Sequence, residues 1–261
     1  MAERATRRRR ASPERTRPSV FWLLGGIVVP IVGLLAKIEI EGEENLPEDG
    51  PYVLAPNHYS EIDPLLVAAA VWRLGRAPRF MAKESLFRIP VLGWALRATG
   101  MIPVARASSN AAAKQAIETA EQLAARRAGV IVYPEGTLTR DPGLWPMRGK
   151  TGAARLALAG DIPLIPMAHW GAQRIFPRYG KLSLWPLRKP VRVVIGPALD
   201  LQGFSDRSLH PGAQTEATGL LMDAIAGILG DIRRETPPAE RWNPGAHGQS
   251  ETGRLPGDGV A

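Results

Sequence analysis

The sequence predicts an α/β domain, a mixed and largely parallel sheet flanked by helices, preceded by an N-terminal membrane-associated helical segment. Three observations predict it. Short apolar runs alternate with helical periodicity along most of the chain, the pattern of βα units. Residues 20–36 carry no charge. Two polar blocks, Asn57–Pro64 and Tyr133–Thr137, each follow a short buried strand, where open α/β sheets usually hold ligands.

The chain has 261 residues and is 45% hydrophobic, enough for one large domain with appendages. Its net charge is +8. Arg4, Arg7, Arg8, Arg9, Arg10, Arg15 and Arg17, against Glu3 and Glu14, account for most of that excess. The expected boundaries are therefore a basic arm over 1–19, a membrane-associated helix over 20–36, the main α/β domain over 37–235 and a disordered tail over 236–261. The tail is assigned because Pro, Gly, Ser and charge dominate it. No cysteine is present, which excludes disulfides, thiolate metal sites and an acyl-cysteine intermediate. Only His58, His169, His210 and His247 could supply imidazole. None lies in a metal-ligand motif, so no metal is expected.

Val20–Ala36 is seventeen residues long, at the lower limit of about 17 for a bilayer span. A cleaved signal peptide, a marginal transmembrane helix and a buried soluble helix are alternatives. A helix lying in the interface is preferred, because Pro30, Gly25, Gly26 and Gly33 interrupt a straight span. The arginine arm would then face anionic headgroups, each cation contributing about 1 kcal/mol.

The elements follow in order. Lys37–Gly42 alternates as a strand, Pro47–Pro51 is a turn and Tyr52–Ala55 a buried strand. Pro64–Leu74 is an apolar helix with Pro64 in its first turn. Arg79–Ala82 is a strand, Ile89–Ala98 a helix and Met101–Val104 a strand. Ser109–Arg127 is a helix with an apolar stripe, stopped by Gly129. Gly129–Tyr133 is a strand, Lys150–Ala159 a helix, Ile162–Ala168 and Val191–Ile195 strands, and Ala213–Arg234 an amphipathic helix.

The first block, Asn57-His58-Tyr59-Ser60-Glu61-Ile62-Asp63-Pro64, pairs an imidazole with a carboxylate, the parts that take a proton from a hydroxyl. His58 and Asp63 lie five positions apart, roughly 140° of helical rotation, so they cannot meet on one helix. They meet if the chain turns from strand into helix between them, and the carboxylate then fixes the imidazole's tautomer. The bland alternatives are that Asp63 before Pro64 is an N-cap, or that Ser60 and Asp63 form a capping box. Glu61 is a second candidate carboxylate.

The second block, Tyr133-Pro134-Glu135-Gly136-Thr137, is a Gly-containing turn after a strand, where a backbone approaches an anion. Several cations end strands or open helices nearby in sequence: Lys83 after Arg79–Ala82, Arg106 after Met101–Val104, Arg140 just beyond the turn, and Lys150 in Arg148-Gly149-Lys150-Thr151-Gly152.

These blocks, with Ile162-Pro163-Leu164-Ile165-Pro166, resemble in order the four blocks of the glycerolipid acyltransferases, specifically the 1-acylglycerol-3-phosphate acyltransferases. The resemblance covers about Gly42–Gly196. It implies an enzyme in which His58 is the base and Asp63 its support. Arg106, Glu135, Gly136 and Thr137, with Lys83, Arg140 and Lys150 as further cations and turn residues, would hold or organise the acceptor phosphate. Glu135 would orient a cation or the turn rather than touch phosphate. The implied reaction moves a fatty acyl group from acyl-CoA or acyl carrier protein to the sn-2 hydroxyl of lysophosphatidic acid, giving phosphatidic acid. No cofactor and no nucleic acid is implied. The implied partners are the acyl donor, a lysophospholipid acceptor and an anionic membrane surface at the cytoplasmic face of the cell membrane. Two departures stand out: Leu138 follows Glu-Gly-Thr where the family commonly has Arg, and Val-Ala precedes Arg106. They leave glycerol 3-phosphate, another lysolipid or a glycolipid open as acceptor. A non-catalytic protein binding anionic membranes is the alternative from another class.

Overall fold

Helix and strand alternate as the sequence predicts in the computed structural model, which describes residues 20–104 and 109–250. The basic arm, Arg106 and the tail from residue 251 lie outside the described residues. Helix α1 (Val20–Leu35) runs directly into β1 (Ala36–Glu41). Then come β2 (Tyr52–Pro56), α2 (Asp63–Arg73), β3 (Met81–Lys83), α3 (Leu92–Ala98), β4 (Ile102–Val104) and α4 (Ser109–Arg126). The chain continues through β5 (Gly129–Ile131), α5 (Gly152–Gly160), β6 (Leu164–Trp170), β7 (Lys189–Ile195) and α6 (Pro211–Arg233).

The main sheet has the order β1-β7-β6-β2-β5. All of its pairings are parallel except β6 with β7. Strands β3 and β4 pair parallel in a second sheet, and a parallel bridge from Phe80 to Ile131 joins that pair to β5. Along β2, Val53 and Ala55 enter one core and Tyr52 and Leu54 the other. This is the period-two alternation of a strand buried on both faces. Residues of α4, α5 and α6 fill the first core, and residues of α1 and α2 the second. The sheet is thus a middle layer, and its carboxyl edge is where β2 and β5 deliver the two polar blocks and β6 places His169.

Three expectations change. The helix expected over Ile89–Ala98 starts only at Leu92. Pro90 keeps Ile89 extended (φ −76°, ψ 123°), as a residue before proline is restrained, and Val91 turns at φ 62°. The glycines expected to interrupt Val20–Ala36 do not break α1, which is one 16-residue helix with Pro30 inside. Gly25 instead makes room for α2: a Cβ there would lie 2.7 Å from the Trp72 ring. Among the described residues no helix is long and apolar enough to cross a membrane.

The third change concerns the tail. Residues 236–250 lie on the fold rather than away from it. The Trp242 carbonyl accepts from the Arg148 N–H (3.0 Å), Arg241 donates to the Gly219 carbonyl (2.9 Å), and Pro244 is buried. Trp242 stacks on His247 at 3.6 Å. A few anchors spaced along a Pro- and Gly-rich stretch suffice where average composition says disorder.

Candidate active site

At the carboxyl end of β2 the chain leaves the sheet and turns before α2 begins, so His58 and Asp63 sit on either side of that turn. His58 Nδ1 lies 3.1 Å from Asp63 Oδ2. The same oxygen accepts the backbone N–H groups of Tyr59 (2.7 Å) and Ser60 (2.8 Å). Asp63 is the first residue of α2, whose N-cap is Ile62 with no side-chain cap bond, so its carboxylate braces the turn before the helix rather than capping it. Asp63 is fully buried, whereas the His58 side chain keeps 16% of its surface. With Nδ1 turned to the carboxylate, Nε2 is the nitrogen left toward solvent.

The ring of His58 stacks on Tyr133 with centroids 4.1 Å apart, and Tyr133 in turn stacks on Phe80 at 6.2 Å. Burial pushes the Tyr133 phenol well above its ordinary range, so it is a neutral face for the imidazole. Below lies a second histidine. His169 on β6 is buried and exchanges hydrogen bonds with Asn57: its N–H donates to Oδ1 (3.0 Å), and Asn57 Nδ2 donates to its carbonyl (3.2 Å). His169 Nε2 is 3.9 Å from Asp63 Oδ1. Burial lowers its pKa, against the opposing pull of Asp63, so at neutral pH it is an uncharged structural partner.

Glu135 ties the second block to the first. Its carboxyl is fully buried. Oε1 accepts the His58 N–H (2.9 Å) and Oε2 the Met147 N–H (3.1 Å). The Thr139 N–H donates back to the His58 carbonyl at 2.7 Å. Glu135 and Thr139 thus clamp the backbone of His58 from both sides. Gly136 sits at φ 68° with its N–H on the Tyr133 carbonyl (3.0 Å), a conformation L side chains rarely adopt. A Cβ there would lie 3.1 Å from Lys150 Nζ, so Lys150, exposed at the mouth of α5, reaches over this turn. Thr137 is half-buried beside it.

Burial pushes the Glu135 carboxyl up to about 8, against the two N–H donors. Between about 4.5 and 8 the folded chain holds a proton that the unfolded chain has lost. Stability from this group is complete below about 4.5 and is lost as pH rises through 8. Glu135→Gln is expected to remove that slope. Its amide nitrogen must also face a backbone N–H, at a cost of about 1–3 kcal/mol. The variant should melt below the native protein at pH 5, with the gap narrowing toward pH 9; thermal melts across that range check it.

The remaining cations divide. Arg140, expected as a ligand for phosphate, is buried at 2% exposure, with its guanidinium bonded to the Tyr179 hydroxyl. The stretch before it is strapped inward by the Thr139 bonds to the His58 and Trp145 carbonyls, so Arg140 supports the site from behind. Lys83 ends β3 exposed and pairs in register with Val104, the last residue of β4. Arg106 follows two positions later, outside the described residues. Glu61 accepts the Tyr179 N–H at 3.2 Å. A cavity of about 570 Å³ lies between α6 and residues 237–243, lined by Arg148, Asp223 and Arg241 but not by His58 or Asp63. Tyr133 opens the second block, yet nothing in its spacing marks it as the platform under His58.

A family model described as Acyltransferase matches residues 37–170, which hold the His58–Asp63 turn and the Glu135 clamp. The chain belongs to the acyltransferase family. The chain is 33% identical over 142 residues to the chloroplastic 1-acyl-sn-glycerol-3-phosphate acyltransferase BAT2 of Brassica napus, covering 54% of this chain and 39% of that protein. It is 29% identical to the 1-acyl-sn-glycerol-3-phosphate acyltransferase of Pseudomonas aeruginosa, covering 66% of this chain and 63% of that one. The chain thus spans less than two thirds of the length of either relative. Its fold is similar to that of the 1-acyl-sn-glycerophosphate acyltransferase PlsC from Thermotoga maritima. There the TM-score is 0.58 at 23% identity, covering 85% of this chain and 83% of the other.

Proposed function

We propose that the chain is a 1-acylglycerol-3-phosphate acyltransferase, moving a fatty acyl group from a thioester donor to the sn-2 hydroxyl of lysophosphatidic acid. The observation that carries this is the His58–Asp63 contact at the carboxyl edge of the sheet, with Nε2 turned to solvent. The names borne by its relatives support the acceptor. His58 Nε2 takes the hydroxyl proton as that oxygen attacks the thioester carbonyl, and Asp63 stabilises the imidazolium. The tetrahedral intermediate expels the thiolate of CoA or of acyl carrier protein, and the imidazolium returns the proton to that sulfur. Atoms balance without an acyl-enzyme, in keeping with a chain that has no cysteine.

The acceptor phosphate is held by Arg106, which follows β4 in sequence, and by Lys83, which ends β3, together with Lys150, Gly136 and Thr137. α1 docks on the cytoplasmic face of the cell membrane, with the basic arm on anionic headgroups. Its uncovered side is a stripe of Trp22, Leu23, Ile27, Ile31 and Leu34, each more than half exposed, and the helix carries no charge to keep that stripe in water. Docking matters because each CH₂ of an acyl chain drawn into water costs about 0.8 kcal/mol.

The test offers the purified full chain acyl-CoA or acyl carrier protein thioester with lysophosphatidic acid, glycerol 3-phosphate or lysophosphatidylcholine, and follows thiol release. Fastest release with lysophosphatidic acid is expected. Release with lysophosphatidylcholine alone would overturn the acceptor assignment, and no release with any pair would overturn the enzyme.

A further inference from the structure

The segment leading into β7 exposes apolar side chains that nothing in the reaction uses. Leu182, Leu184 and Leu187 are about half exposed and Trp185 is 80% exposed. Connecting segments in water are ordinarily polar, and a cluster of this kind marks a contact surface. The loop is also built rather than loose. The Ser183 N–H donates to the Ile175 carbonyl (2.8 Å), and its hydroxyl donates to the Trp185 carbonyl (3.1 Å). Lys189, only 7% exposed, drives its ammonium beneath the loop and donates to the Ser183 and Pro186 carbonyls, both at 2.9 Å. A buried ammonium needs such partners. By binding the carbonyls it fixes the backbone, leaving the leucines and Trp185 to point outward.

Charge and position say what covers this tip. Residues 174–189 hold five cations and no carboxylate. Arg178 and Lys189 are occupied by backbone carbonyls, while Lys181 and Arg188, which flank the apolar tip in sequence, are exposed, as is Arg174. A tryptophan among leucines with cations at the rim matches the order of a bilayer interface, apolar inside and anionic headgroups outside. The Arg188 N–H donates to the Leu34 carbonyl at 2.9 Å, which joins the loop to the end of α1 and to its exposed stripe.

We propose that residues 182–187 are a second membrane foothold, inserting Leu184 and Trp185 into an anionic lipid bilayer beside α1. The proposal rests on the docking of α1 put forward above and adds what one helix cannot supply. A single apolar stripe leaves the protein free to roll about the helix axis. A second insertion point off that axis fixes which way the sheet faces the lipid.

The test uses the full chain with vesicles of phosphatidylcholine, with and without phosphatidylglycerol, in a flotation assay. Leu184→Ser with Trp185→Ser is expected to weaken binding to the anionic vesicles about tenfold or more, or about 1.4 kcal/mol. Melting temperature and thiol release with a short-chain, water-soluble acceptor should be unchanged, because both side chains are exposed. In a second measurement, brominated lipids quench the native protein's tryptophan fluorescence, and Trp185→Phe should lower the quenched share. Unchanged vesicle binding by the double variant, or unchanged quenching in Trp185→Phe, would overturn the proposal. So would loss of a dimer or of carrier-protein binding in the double variant with vesicle binding intact. The α1 docking is tested separately by Ile27→Ser with Ile31→Ser. If that variant binds vesicles normally while the loop variant does not, α1 docking fails and the loop foothold stands. Absence of acyl transfer with the vesicle results as expected likewise upholds the foothold and rejects the enzyme.

Discussion

His58→Ala is expected to slow acyl transfer by about 10²- to 10⁴-fold, the usual contribution of a positioned general base, with little change in folding or vesicle binding. The asymmetry follows from where the ring lies. It is partly exposed and stacked on Tyr133, so its removal leaves a shallow gap at the surface rather than a closed cavity in the core. The backbone stays pinned whatever the side chain, because Glu135 and Thr139 bind the N–H and carbonyl of residue 58, not its imidazole. Thiol release under saturating donor and acceptor measures the chemical step. A loss confined to kcat, with the acceptor's KM kept, is the result expected of a proton acceptor rather than a binding group. Turnover at the native rate would sink the assignment of the base.

How much of this was legible in the chain depends on which physical signal each residue leaves. Strand order aside, the alternation of elements could be read because β2, β5 and β6 are continuous apolar runs and α4 and α6 carry helical stripes. The His58–Asp63 turn was legible for a geometric reason: a five-residue offset fails on one helix, so the chain had to bend between them. Glu135 was legible only as part of a turn. Its working partners are an N–H on His58, 77 residues away in sequence, and one on Met147; backbone donors have no sequence signature. The glycines of α1 misled for a related reason. Their effect depends on what they face, and Gly25 faces Trp72 on α2. Arg140 has the charge of a surface residue and the environment of a core residue, because the bonds of its neighbour Thr139 to carbonyls hold the loop inward. Local sequence shows propensity and period, while burial is decided by the far side of the contact.

Asp63→Asn is expected to cost about a hundredfold or more in kcat while leaving the turn standing, and the reason lies in how unevenly its carboxylate is used. All three donors, His58 Nδ1 and the N–H groups of Tyr59 and Ser60, converge on Oδ2. Oδ1 is buried with no hydrogen-bond partner among the described residues. An asparagine places its oxygen at Oδ2 and keeps every donor, including Nδ1–H, so the productive tautomer survives. What vanishes is the negative charge that meets the imidazolium as the hydroxyl proton arrives. Its NH₂ then occupies the Oδ1 position, 3.9 Å from His169 Nε2. Asp63→Ala differs in kind, for it strands two buried N–H groups at about 1–3 kcal/mol each, and should lower the melting temperature as well as the rate. Denaturant midpoints alongside thiol release separate the two. If Asp63→Asn kept near-native kcat with a depressed midpoint, Asp63 would be a brace for the turn before α2 and nothing more. If it keeps its midpoint and loses its rate, the oxygen that braces the turn also carries the catalytic charge, serving both fold and chemistry.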